Sequence, residues 1–286
     1  MHVPVMVGES LEYLAVRPEG IYLDATAGLG GHTGAIAAQL TTGLVIANDR
    51  DAESLELAKS NTAPWADRIR FHQGSFADLG AALGSAGIDR VDGLLADLGV
   101  SRYQLTDPER GFSLMAEGPL DMRMDRSQAE TAEEIVNFSS EKELADLIFR
   151  LGEERRSRRI SRAIVRARPL HTTQRLSRVI EEAVPRTGKL HPATQTFMAL
   201  RMAVNDEQGQ LDRLLASAPD AVKSSGRIVI VSFMSLEDRK VKHSFQALAQ
   251  AGRATILTRH VVRPAPEETK NNPPSRSARL RAVEMR

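Results

Sequence analysis

The feature that most constrains this 286-residue chain is an aliphatic run that empties into a glycine-rich turn and then into a helical pattern. Ile21 to Asp24 is followed by Ala25-Thr-Ala-Gly28-Leu-Gly30-Gly31-His32-Thr33-Gly34. Glycines there let the backbone approach a ligand closely, and the start of the helix offers unpaired N–H groups. The same rhythm continues with strand-like runs at Leu44–Asn48, Ile69–His72 and Val91–Ala96. Helical patterns lie at Thr33–Leu40 and at Ala52–Ser60, the second capped by Asp51. This alternation predicts βαβ units on a parallel sheet.

After residue 100 the alternation stops. Lys142–Leu151 and Arg155–Val165 read as helices, and Pro169, Pro185 and Pro192 punctuate the rest. The α/β pattern resumes with a helix at about Leu200–Leu215, the run Arg227–Phe233, a helix at about Arg239–Ala251, and strand-like Ala254–Val262 and Ala278–Val283. Arg263–Ser275 reads as a loop. The expectation is one α/β domain, residues 1–104 and 196–286, carrying a helical insertion at 105–195. Its length suits two domains or one with a large insertion.

The glycine loop selects among nucleotide cofactors. A dinucleotide fingerprint read from Gly28 would require Gly or Ala where Thr33 stands, and no Gly-Lys-Ser/Thr exists for a P-loop. A cofactor with a nucleoside and a charged amino-acid end but no pyrophosphate fits better, which points to S-adenosylmethionine. Asp49, at the end of the second strand, is placed to accept the ribose hydroxyls. Phe76 follows the third strand, where a ring can pack near the adenine. Asp97 ends the fourth, where a transferase brings substrate to the methyl group.

Composition narrows the chemistry. With no cysteine, disulfides, thiolate zinc sites and thiol nucleophiles are excluded, and no metal site is expected. No apolar run is long enough for a membrane span and MHVPVMVGES is not a signal peptide, so a cytoplasmic location is expected. The net charge of +1 conceals an asymmetry. Residues 150–178 hold ten arginines and two acids, a segment of +8 in a chain otherwise near −7. Such a segment suits an anionic partner, although a solvated helix face would look the same.

Longer blocks carry a resemblance. They include HVPVMVGESLEYL (2–14), DATAGLGGHT (24–33), NDRD (48–51), DLGVSRYQL (97–105) and ERGFSLMAEGPLDMRMD (109–125). GEERRSRRISRAIV (152–165), HPATQTFMALRMAVN (191–205), SFMSLEDRKVK (232–242) and SRSARLR (275–281) follow. In this order they resemble the bacterial methyltransferases that modify N4 of a cytosine in the decoding region of 16S ribosomal RNA. The resemblance implies a class I, Rossmann-like methyltransferase sheet with an inserted all-helical domain that engages RNA. It implies cofactor contacts from Gly30, Gly31, His32, Asp49, Phe76, Asp97 and Gln104, and a small ribosomal subunit or its RNA as partner, in rRNA processing. The oligomeric state stays open, a homodimer included.

The chain departs from the family pattern at Ser101–Thr106, where Ser-Ser-Pro-Gln-Leu-Asp is usual. It departs also at Gln195 (usually Arg), Met198 (usually Gln) and Met234 (usually His).

Methylation at cytosine carbon 5 generally uses a thiolate, which is absent here, whereas N4 can attack the methyl group directly if an acceptor takes its proton. Asp97 is the first candidate for that acceptor; Asn205 and Ser235 with Glu237 are others. Asp121 and Asp125, flanking Arg123, read equally well as an ion-pair network. Arg155, Arg158, Arg159, Arg162 and Arg166 recur at helical spacing and are expected to contact phosphates. Arg276, Arg279 and Arg281 either join that surface or line a terminal strand. The alternative function is a ribosome-binding protein that keeps the fold and has lost methyl transfer; an oxidoreductase is disfavoured by Thr33.

Overall fold

The computed structural model describes residues 4–286 apart from Thr187 and Lys189, and for Arg102 the backbone alone. His2 and Val3, which open the first of the resembling blocks, lie outside the described residues. In chain order the elements begin with α1 (Val7–Leu14), β1 (Ile21–Asp24), α2 (Gly31–Ala37), β2 (Leu44–Asp49), α3 (Ala52–Asn61), β3 (Ile69–Gln73), α4 (Leu79–Ser85) and β4 (Val91–Asp97). The helices α5 (Arg102–Thr106), α6 (Ala132–Phe138), α7 (Glu141–Gly152), α8 (Ser157–Ala167), α9 (Thr173–Ala183) and α10 (Thr194–Val204) follow. The chain continues through α11 (Glu207–Ala221), β5 (Val222–Ser232), α12 (Ser235–Gln250), β6 (Ala254–Ile256), α13 (Pro266–Asn271) and β7 (Arg279–Met285).

The contacts divide the chain into two compact units. One holds Met1–Gly99 with Gln208–Arg286, the other Val100–Glu207. The first crossing falls earlier than residue 104 and the second later than residue 195. The reason is packing: α10 sends Phe197, Leu200 and Val204 into the helical core, so this helix belongs with the insertion.

In the first unit seven strands are ordered β3-β2-β1-β4-β5-β7-β6. β1 to β5 are parallel, and β7 runs antiparallel between β5 and β6. Because β1 lies between β2 and β4, the strand order reverses there, and a crevice opens beyond the carboxyl ends of these strands. Alternate residues feed two cores, as the two-residue period of a strand requires. Leu23, Ile46, Leu94, Ile228 and Ile230 pack with Leu83, Leu214, Val241 and Phe245 on one face. Tyr22, Val45, Leu95, Val229 and Val231 pack with Leu14, Ile36 and Leu55 on the other.

The second unit is helical around Leu144, Ile148, Ile160, Ile164, Leu176 and Ile180, with Leu120 and Met122 from its long loop. α6 and α7 open on capping boxes, Thr131 with Glu134 and Ser140 with Glu143.

Four expectations change. The helix expected at 200–215 is broken at Asp206, whose φ of 46° no helix tolerates, giving α10 and α11. The run 254–262 forms a strand only to Ile256, with a single bridge at Val262. The loop at 263–275 contains α13. Arg155 precedes α8, which starts at Ser157, so helical spacing does not place it on the arginine face.

Candidate functional site

Three carboxylates stand at the carboxyl ends of adjacent strands. Asp24, at the end of β1, is fully buried; its Oδ2 accepts from the Thr33 hydroxyl at 2.6 Å and its Oδ1 from the Thr26 amide at 3.3 Å. Burial pushes its pKa up to about 6 against these hydrogen bonds. Thr33, the residue that breaks the dinucleotide fingerprint, is thus the hydroxyl donor to Asp24.

Asp49, at the end of β2, holds two loops together. Its Oδ2 accepts from the Gly28 amide at 2.7 Å and its Oδ1 from the Asp51 amide at 2.9 Å. Burial raises it to about 6 as well, with Asp51 and Asp24 adding repulsion. Asp51 caps α3 through the amides of Glu53 and Ser54.

Asp97, at the end of β4, is fixed through its backbone: its amide donates to Thr26 Oγ1 at 2.7 Å. The carboxylate Oδ2 lies 3.7 Å from His32 Nδ1, and Oδ1 is buried with no hydrogen-bond partner among the described residues. Burial first, then the charges of Asp24, Glu237 and Glu268, hold this carboxyl well above the usual carboxylate range. None of Asp24, Asp49 and Asp97 pairs with a lysine or arginine among the described residues.

The glycine loop wraps this cluster. Gly30 has φ of 85°, and a Cβ there would stand 2.8 Å from Thr62 Cγ2. A Cβ on Gly31 would stand 2.6 Å from Pro4 Cγ. His32, on the first turn of α2, lies 3.0 Å through Nε2 from the Val5 carbonyl oxygen. Burial lowers its pKa to about 4, so the ring is neutral near pH 7. A carbonyl only accepts, so Nε2 carries the proton and Nδ1 is an acceptor. On the next strand, the Gly74 amide donates to the Asp49 carbonyl at 3.0 Å, Ser75 is bound by Gln210, and Phe76 is partly buried against the first core.

The structure thus gathers Gly30, Gly31, His32, Asp49 and Asp97 in one crevice, with Phe76 following the third strand. Sequence reading missed Asp24 and Thr33 as a buried pair; its only signal was the block DATAGLGGHT, in which the hydroxyl follows the acid. Glu268 was missed too: it accepts from the Met6 amide at 2.8 Å and pins the segment that covers Gly31 and His32.

Other candidates have different work. Asn205, a catalytic candidate in the sequence, is held in the helical unit as a pin: its Oδ1 accepts from the Met124 amide at 2.8 Å, and its Nδ2 donates to the carbonyls of Met122 at 2.7 Å and Arg201 at 2.8 Å. Gln104 belongs to the helical unit and closes a capping box on α5, its Oε1 accepting from the Ser101 amide at 3.0 Å. Ser235 is exposed at the first turn of α12 and accepts from Arg279 Nη2 at 3.2 Å. Met234 is the N-cap of that helix, and its amide donates to Glu237. Asp121 and Arg123 form a two-pronged ion pair at 2.7 and 2.9 Å, the structural reading of that motif. In the tail, Arg281 is spent on Asp238 at 2.6 Å.

Arg158, Arg159, Arg162 and Arg166 are exposed on α8, while Ile160, Ser161 and Ile164 face the core. Arg155 is exposed just before the helix.

A family model for the MraW methylase family matches residues 1–286. The chain belongs to that family. This member is therefore a methyltransferase. Its sequence is 67% identical to the ribosomal RNA small subunit methyltransferase H of Solibacter usitatus, over the whole of both chains. It is 48% identical to the protein of the same name from Acidobacterium capsulatum, over 100% of this chain and 98% of that one. Among solved structures, a candidate rRNA methylase from Clostridium thermocellum superposes over the full length of both chains with a TM-score of 0.50 at 12% identity, which supports the Rossmann-like fold alone. No described helix is long and apolar enough to cross a membrane.

Proposed function

We propose that this methyltransferase uses S-adenosylmethionine to methylate the exocyclic N4 of a cytosine in the decoding region of small-subunit ribosomal RNA, in the cytoplasm. The observation that carries the reading is Asp97: a buried carboxylate at the switch point of the sheet, one oxygen unpartnered among the described residues, beside a glycine loop and two further carboxylates with which no described lysine or arginine pairs. Such a crevice suits a ligand that brings positive charge and hydroxyl donors, and S-adenosylmethionine carries a sulfonium, an ammonium and a ribose diol. When bound it supplies an electrophilic methyl group.

The residues would hold it as follows. Gly30 and Gly31 let the backbone come close; Asp49, already fixed by two amides, accepts the ribose hydroxyls; Phe76 flanks the base. His32 holds the strap at Val5 against the loop. A cation beside Asp97 lowers its pKa and leaves it ionised. Asp97 then orients the N4 amine and accepts its proton as the nitrogen gains a bond. Ser235, on the first turn of α12 just beyond β5, is the second group suited to hydrogen-bond the base. A cytosine must leave its stack to be reached, and the exposed arginines of α8, with Arg155, offset that cost by binding phosphates.

Transfer of labelled methyl from the cofactor to isolated small subunits, followed by nucleoside analysis, tests the reading. N4-methylcytidine is expected. Its absence despite measured cofactor binding would favour a ribosome-binding protein without turnover.

A further inference from the structure

Two of the eight phenylalanines are strongly exposed, Phe138 at 83% and Phe149 at 56%, and both belong to the helical unit that carries the arginine face. An exposed ring costs solubility, so two on the unit that also exposes the arginines of α8 call for an occupant.

Their placement relates them to α8. Arg168, the residue after that helix, donates through Nε to the Val136 carbonyl at 2.8 Å and through Nη2 to the Ser139 carbonyl at 2.6 Å. Asn137 exchanges two hydrogen bonds with Leu170, at 2.7 and 2.9 Å. The backbone on both sides of Phe138 is therefore pinned, and the ring is displayed from a rigid mount beside the carboxyl end of α8. Phe149 sits one turn along α7 from Ala145 and Asp146, which line a hollow of about 400 Å³ with Lys142, Arg158 and Arg162. Arg158 is in the first turn of α8. The two rings thus mark opposite ends of a helix about 16 Å long, whose exposed arginines, Arg158, Arg159, Arg162 and Arg166, span about 12 Å at 1.5 Å per residue.

We infer that Phe138 and Phe149 are stacking platforms for unpaired bases of a single-stranded RNA segment whose phosphates run along the arginines of α8. The chemistry selects this occupant. Arginines at helical spacing attract any polyanion, but only a strand with unstacked bases also offers flat faces to exposed rings, and duplex RNA keeps its bases inside. An apolar protein partner would leave Arg158, Arg159 and Arg166 without a counterpart among the described residues, Arg162 being paired with Glu141 at 3.3 Å. This inference rests on the RNA reading above and adds which part of the RNA is held, and by what.

The test measures binding of a labelled single-stranded RNA oligonucleotide, and of the same sequence in a duplex, over a range of salt. The proteins are the full chain and its Phe138→Ala, Phe149→Ala, Phe149→Trp and triple Arg158→Glu/Arg162→Glu/Arg166→Glu variants. Both rings are exposed, so the alanine variants are expected to fold, with circular dichroism as the check. Each alanine is expected to weaken single-strand binding about tenfold while leaving the salt slope and the duplex affinity unchanged, and Phe149→Trp to retain binding. Unchanged single-strand affinity in both alanine variants overturns the inference. So does sedimentation showing that the rings instead join two copies of the chain. Loss in the arginine variant with none in the alanine variants sinks the platform alone, whereas no RNA binding by any form sinks the RNA reading itself.

Discussion

His32 turns an unprotonated Nδ1 toward the carboxylate of Asp97 at 3.7 Å, while its other nitrogen is committed to the carbonyl of Val5. At 3.7 Å the two are not hydrogen-bonded, and two acceptors facing each other in a buried place favour a proton on one of them. With the imidazole held near 4 and the carboxyl pushed up, that proton belongs to Asp97.

Cofactor binding should therefore release a proton. The groups facing Asp97 are His32, Asp24, Glu237 and Glu268, of which none is a lysine or arginine. A cationic ligand reverses that field and favours the carboxylate. Below the pKa of Asp97 in the free protein, affinity is expected to rise about tenfold per pH unit, levelling off above it. Calorimetry in buffers of different ionisation heat counts the proton, and Asp97→Asn should abolish the count. Heats that do not depend on the buffer would refute it.

Asp24 gives a stability prediction of defined sign. Its carboxyl is held at about 6 in the fold and near 4 in the unfolded chain, so its protonated form favours folding. That contribution is complete below pH 4 and lost as pH rises through 6, costing the ligand-free protein about 3 kcal/mol. Asp24→Asn should make the fall in urea-measured stability between pH 4 and 6 shallower, with Asp49 still contributing its own slope. An unaltered slope would show that Asp24 does not titrate in this window.

The arginine face predicts a salt signature. Reversing Arg158, Arg162 and Arg166 together should weaken RNA binding and make the slope of log affinity against log salt shallower by about 0.7 per lost single-strand phosphate contact. Cofactor affinity should not move. Equal slopes in wild type and variant would remove α8 from the RNA surface.

Asn205→Ala should act on stability. The change strands the buried Met124 amide and removes the side-chain donor to the Met122 carbonyl, while the Arg201 carbonyl keeps the residue-205 amide at 3.1 Å, at a cost of about 2–4 kcal/mol. Cofactor affinity is expected to stay within about twofold. A variant of normal stability that had lost methyl transfer would return Asn205 to the list of catalytic groups.

Much of the fold was legible because parallel strands buried on both faces read as short aliphatic runs between turns, and β1 begins and ends where the residues place it. Boundaries failed where tertiary contacts decide. Nothing local in Leu200–Leu215 announces a break at Asp206, and the Phe197–Val204 face shows its allegiance only in the packed helical core. In the site, Asp49 and Asp97 were readable as polar residues ending apolar strands. Asp24 ends one too, but its meaning depends on the Thr33 hydroxyl folding back upon it. Glu268 could not be read at all, since its partner Met6 lies 262 positions away.

β7 comes after β6 in sequence yet lies inside it in the sheet, flanked by β5 and β6. During synthesis, β5 must therefore wait with the edge that faces away from β4 open between Arg227 and Ser232 until residues 279–285 are available to pair with it. An exposed apolar edge of this kind is an invitation to wrong partners. The edge of β5 is thus open for as long as the chain between Ser232 and Arg279 is being added and folded.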